Sequence, residues 1–194
     1  WSKGACTLCH ATDPNYVGVT VIESSGSFAN EGAENLFDGN PETKWCSRQD
    51  NGERYYVIFK TDRPSILDNY TLVDAKDTDK FENRKWSRWS IIGTNNPDSE
   101  SWDLIDERED FDDYKDVTFT TNCHTAYAYY RIDVFCDEPE DGSIFIQQMA
   151  DMNITWGSGA DEVTIVDGKA FSTPVEFTTS NVTMARTFTQ STSD

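Results

Sequence analysis

The sequence predicts an all-β protein, an antiparallel sandwich followed by a short C-terminal β appendage, and three observations predict it. Apolar residues recur in short bursts that alternate with polar ones, the period of a strand with one buried face rather than the 3.6-residue period of a helix. The bursts are separated by clusters of Gly, Asn, Asp, Pro and Ser, which turn a chain back on itself. Large side chains are plentiful: of 194 residues, 37% are hydrophobic and 13% aromatic. That suits one sizeable core with a small appendage rather than two full domains.

In chain order, residues 1–16 lack periodicity and form an arm that carries Cys6-Thr-Leu-Cys9-His10. Two readings of this motif are open. In one, Cys6 and Cys9 form thioethers to a c-type haem, His10 ligates the iron, and His124, the only other histidine, supplies a second axial ligand. In the other, the same thiols tie the arm down through a disulfide or remain partly free. Zinc would need a second half-site that the sequence does not supply. Five cysteines, at 6, 9, 46, 123 and 136, leave at least one without an intrachain partner and point to an oxidising compartment.

The sandwich is expected over residues 17–156. Strands are expected at 17–22, 55–59, 66–73, 89–92, 102–105, 117–119, 127–135 and 144–156, and a short helical turn at 29–37 with Asn30 as its N-cap. Between Leu36 and Trp45 the segment Asp38-Gly-Asn-Pro-Glu-Thr43 must fold back, because glycine permits positive φ and proline forces the residue before it out of the helical region. A turn of this kind points carbonyls inward, and Asp38, Asn40 and Thr43 add the hard oxygen donors that Ca2+ prefers. An ordinary acidic surface turn is the other reading. From residue 157 a Gly-Ser-Gly linker leads to strand-like alternation at 163–166 and 175–189. This tail is too poor in aromatics for a core of its own and resembles the opening of a further β-module. Its strands would pair with the sandwich or, by self-association, with another chain.

A net charge of -19 repels phosphate backbones and anionic membranes, so nucleic acid is not an expected partner. No apolar run reaches membrane-spanning length, so insertion into a membrane is not expected either. Acidic excess together with six tryptophans and eight tyrosines suits an exported, extracellular or cell-surface domain rather than a disordered chain. No Gly-x-Ser-x-Gly elbow or phosphate-binding glycine loop is present, and the abundant carboxylates define no catalytic pair by themselves, so an enzyme is not expected.

Six stretches carry a resemblance: Glu34-Asn-Leu-Phe-Asp-Gly-Asn-Pro-Glu-Thr-Lys-Trp-Cys46, Tyr56-Val-Ile-Phe-Lys60, Asn83-Arg-Lys-Trp-Ser-Arg-Trp-Ser-Ile-Ile-Gly-Thr-Asn95, Ser101-Trp-Asp-Leu-Ile105, Tyr129-Tyr-Arg-Ile-Asp133 and Gln147-Gln-Met-Ala-Asp151. In order and spacing they resemble the discoidin-like, coagulation-factor type C family of the galactose-binding-domain-like superfamily, and in particular bacterial surface carbohydrate-binding modules; a structural or adhesive surface subunit that assembles through its C-terminal strands is the alternative reading. The resemblance implies an eight-stranded jelly-roll sandwich without catalytic activity and a ligand site on loops at one end. It also implies a structural calcium held by Asp38, Asn40, Thr43 and an acidic residue of the last strand. Asp151 stands there, where relatives more often carry the longer glutamate; Gln148 is a weaker candidate.

Glycan or glycoprotein is the partner class this implies, although the same architecture in other hands binds phospholipid or protein. Sugar recognition needs an exposed aromatic face and planar polar groups, which Arg84, Trp86 and Arg88 are expected to provide, with Arg48 nearby. Trp86 and Trp89 lie an odd three residues apart, so one strand cannot bury both on the same face. Trp89 matches the family's core tryptophan, which assigns Trp86 to the loop surface; edge packing is the competing role for Trp86.

Overall fold

The computed structural model describes residues 16–50, 54–109, 115–136 and 144–157, together with the strand backbones 163–166 and 169–172. The chain divides into two compact units, with the boundary between Ser158 and Gly159. Cys6, Cys9 and His10 lie outside the described residues, as does the expected strand at 175–189.

The first unit contains nine strands among the described residues: β1 (Val19–Ser24), β2 (Trp45–Asp50), β3 (Arg54–Val73), β4 (Arg88–Thr94), β5 (Asp103–Arg108), β6 (Phe119–Thr120), β7 (Tyr127–Phe135), β8 (Ile144–Met149) and β9 (Asp151–Gly157). Every pairing is antiparallel. This is the predicted all-β sandwich, with three differences in its elements. The stretches 55–59 and 66–73 are two halves of one 20-residue strand, β3. Its register with β7 breaks between Lys60 and Ser65, across Thr61-Asp-Arg-Pro-Ser65. Pro64 has no N–H to give to a ladder, so the polar cluster that reads as a turn is a bend inside a strand. The stretch 144–156 divides at Ala150 into β8 and β9. β2 has no apolar alternation to announce it; its Cys-Ser-Arg-Gln run is strand because it pairs with β8 from Trp45↔Met149 to Asp50↔Ile144.

The first half of β3 lies in a sheet of order β1-β3-β7-β4-β5, and its second half pairs with β9 and β6. β2 and β8 form a separate ribbon. Alternation fills the space between the layers: Tyr55, Val57 and Phe59 of β3, Tyr130, Ile132 and Val134 of β7, and Trp89 and Ile91 of β4 are all buried. Phe59 stacks on Tyr130 at 5.4 Å between ring centroids, and Phe119 stacks on Tyr70 at 5.1 Å while meeting Trp89 edge-on at 5.2 Å. Tyr70 also carries a buried polar chain. Its hydroxyl accepts from Trp89 Nε1 at 2.7 Å and donates to Asp106 Oδ2 at 2.6 Å, and Arg108 Nε donates to the same oxygen at 2.9 Å. Burial and the Asp106 carboxylate both push the Tyr70 phenol well above its ordinary range.

The helical turn is a 3-10 helix, Ala33–Phe37, capped at Gly32. Asn30 is not the cap; it sits at φ 65°, in the left-handed region that asparagine tolerates. The second unit holds a hairpin of β10 (Val163–Val166) and β11 (Lys169–Ser172), so the strand expected at 163–166 forms. Among the described residues, no helix is long and apolar enough to cross a membrane.

Candidate functional site

The Asp38 turn closes on itself. Asp38 Oδ1 accepts the Asn40 N–H at 2.8 Å, and Asn40 Oδ1 accepts the Glu42 N–H at 3.2 Å. Thr43 Oγ1 lies 2.7 Å from Asp38 Oδ2 and 2.8 Å from the Asn40 carbonyl, and gives its single proton to one of them at a time. Gly39 takes φ 67°, the left-handed step that lets the turn reverse. Asn35 ties the turn down from behind, its amide donating to the Lys44 carbonyl at 2.7 Å.

Asp151 comes to the turn from β9. As the first residue of β9 it pairs with Val73, and it is 4% exposed. Burial pushes its carboxyl up to about 6, and the negative charge of Asp38 adds to this. The Met152 and Gly39 backbone N–H groups work in the opposite direction. None of the groups that act on it is cationic. The two carboxylates thus act on each other, and burial desolvates that of Asp151, with no cation among the groups that shift it. No cluster of three or more His, Cys, Asp or Glu occurs among the described residues, so any cation here would rest on these two carboxylates and neutral oxygens. That is a hard-oxygen set of the kind calcium accepts, and Asp38, Asn40, Thr43 and Asp151 therefore suit the ion.

Gln148 is removed from that set. It is buried in a different network, where its Oε1 accepts from Lys44 Nζ at 3.0 Å and its Nε2 donates to Thr78 Oγ1 at 3.2 Å. Lys44 also bridges to both Asp77 oxygens, at 2.8 and 2.9 Å.

The expected ligand residues separate. Trp86 is not a surface platform: it is 0% exposed. It meets Trp45 edge-on and Trp89 at a tilt, each at 6.3 Å, and donates from Nε1 to Gln147 Oε1 at 2.8 Å. The odd-offset argument fails because β4 begins at Arg88, so Trp86 precedes the strand and its direction is set by the loop. Arg84 closes the 3-10 turn Glu82–Arg84 with its guanidinium 3.7 Å above the Phe81 ring. Its charge reaches the Cys46 thiol. Arg48 follows Cys46 by two residues on β2 and is exposed. Arg88 goes elsewhere. Its neighbour Trp89 points into the core, so Arg88 lies on the outer face of the sheet, 4.7 Å above Phe135. His124 is exposed, beside Cys123. Among the described residues, no disulfide joins Cys46, Cys123 and Cys136 to one another.

A nine-stranded sandwich with a fold-back turn in front of β2 and an acidic residue opening its last strand has the architecture of the discoidin-like, galactose-binding-domain-like fold. Solved structures bear this out. The chain is similar to the family 32 carbohydrate-binding module from Streptococcus pneumoniae EndoD, at 16% identity and TM-score 0.55, covering 71% of this chain and 94% of that one. It is also similar to a Clostridium perfringens structure in complex with GalNAc-β-1,3-galactose, at 15% identity and TM-score 0.52, covering 71% and 94%. A third is the family 32 module of C. perfringens NanJ in complex with galactose, at 13% identity and TM-score 0.50, covering 71% and 92%. No protein-family model matches the chain, and no curated protein matches it.

Proposed function

We propose that this chain is a non-catalytic, extracellular carbohydrate-binding module stabilised by calcium. The observation that supports the first part most directly is the fold itself, shared with modules captured holding galactose and GalNAc-β-1,3-galactose. Arg48 and Arg84 are the residues we assign to the glycan. The Arg84 guanidinium lies 3.7 Å from the Phe81 ring centroid, and its planar set of N–H donors can pair with two neighbouring sugar hydroxyls. For calcium, the support is the desolvated Asp151 carboxylate beside Asp38. Asp38, Asn40, Thr43 and Asp151 would hold the ion, which would neutralise the two carboxylates and pin the turn to β9.

A glycan array with the calcium-loaded chain tests the reading. Binding to a subset of glycans, weakened at least tenfold by Arg84→Ala with an unchanged melt, is the expected result. A native protein that binds no glycan at all overturns it.

A further inference from the structure

Arg84 stands between β3 and β4, in a segment built of two 3-10 turns, Thr78–Lys80 and Glu82–Arg84. A backbone of this kind has no strand ladder to fix it and depends on side chains that anchor its turns. The second turn hangs on the first: the Arg84 N–H donates to the Phe81 carbonyl at 3.1 Å, and the Phe81 N–H to the Thr78 carbonyl at 2.9 Å. The first turn is fastened at two neighbouring residues. Lys44 Nζ donates to Asp77 Oδ1 at 2.9 Å, to Asp77 Oδ2 at 2.8 Å and to Gln148 Oε1 at 3.0 Å, and Gln148 Nε2 donates onward to Thr78 Oγ1 at 3.2 Å. Gln148 and Thr78 are buried. The Lys44 side chain is only 16% exposed and that of Asp77 36%, so water and salt screen this pair less than an open surface pair. Lys76 and Glu42 make the contrast in the same segment: they pair at 64% and 62% exposure, where an ion pair contributes little.

We propose that Lys44 is a positioning residue for glycan recognition: through Asp77 and Gln148 it fixes the two turns that present Arg84. A segment that is already ordered does not have to be ordered when the sugar arrives, so the clamp raises affinity without touching the ligand. The inference rests on the assignment of Arg84 to the glycan.

The probes are galactose and N-acetylgalactosamine, replaced by the tightest glycan of the array if neither binds, titrated by calorimetry into the calcium-loaded full chain. Asp77→Ala removes the half-exposed end of the clamp. It should weaken sugar binding about five- to tenfold, the loss of one charge-assisted anchor, with an unchanged near-ultraviolet spectrum, and it should speed amide exchange at residues 78–85 more than in β7. Asp77→Asn, which keeps an oxygen for Lys44, should recover most of the affinity, and Lys76→Ala should change neither affinity nor exchange. Affinity unchanged in Asp77→Ala while Arg84→Ala weakens it, an equal loss in Lys76→Ala, or faster exchange spread evenly over the sandwich overturns the positioning role and leaves the module reading standing. A wild-type chain that binds no glycan removes both.

Discussion

Replacing Asp151 by asparagine isolates what an uncompensated buried carboxylate costs this fold. The folded carboxyl titrates near 6 instead of its ordinary 3.8, a difference of about two pH units at about 1.4 kcal/mol each, so ionising it opposes folding by up to about 3 kcal/mol. The sign follows from proton affinity. The folded state holds this proton more tightly than the unfolded state, so the penalty is absent below pH 3.8, grows between 3.8 and 6, and is complete above. Asparagine keeps one carbonyl oxygen for the Gly39 and Met152 amides and never ionises. In chelator at pH 7.5, Asp151→Asn should therefore be more stable than the wild type by up to about 3 kcal/mol, and near pH 3.5 the two should coincide. Urea denaturation at both pH values, with and without millimolar calcium, reads this out. Calcium should stabilise the wild type by mass action and the variant much less, narrowing or reversing the gap. A variant less stable than the wild type in chelator at pH 7.5, or a gap that does not change with pH, would refute the reasoning.

Other perturbations have definite directions. Trp86→Phe should cost about 1–3 kcal/mol in a urea melt, because Gln147 Oε1 loses its donor in a place water does not reach, and Trp86→Ala should cost about 3–5 kcal/mol; an unchanged melt in either would contradict the core position of this ring. Tyr70→Phe should cost about 1–3 kcal/mol by stranding the buried Trp89 Nε1, while Asp106 keeps its bond from Arg108, and a neutral effect would show that the chain of polar contacts is dispensable. Of Cys46, Cys123 and Cys136, only Cys123 should react with a thiol reagent at pH 8 without denaturant. Burial, with the Glu31 carboxylate adding to it, pushes the Cys46 thiol up to about 12, and Cys136 is fully enclosed. Fast native labelling of Cys46 by mass spectrometry would count against that packing.

Where period and turn chemistry act locally, they could be read from the chain. The alternation at 127–135 is β7 to the residue, and Asp38-Gly-Asn-Pro is the turn its glycine and proline require. The features that escaped depend on contacts distant in sequence. β2 is strand because β8 lies beside it, and Asp151 reaches the Asp38 turn only because β9 runs along β3. Trp86 shows the limit most clearly. Two tryptophans three apart read as one in and one out if both belong to a strand, and the start of β4 at Arg88 removes that premise. No local pattern marks the direction of the indole, which donates to Gln147, a residue 61 positions away.

β3 binds the timing of folding as well as the layers. Its partners come from β1 near residue 19 and from β9 ending at Gly157, so one strand collects pairings from nearly the whole first unit. The loops closed by these pairings are long, and such contacts form late and slowly. During synthesis the second half of β3 leaves the ribosome some eighty residues before β9, with its apolar Leu67, Tyr70 and Leu72 exposed and one edge unpaired. Until Gly157 has emerged, this half of the strand is a template for pairing with another chain, and export before folding or a chaperone that holds the strand would keep the nascent protein from aggregating.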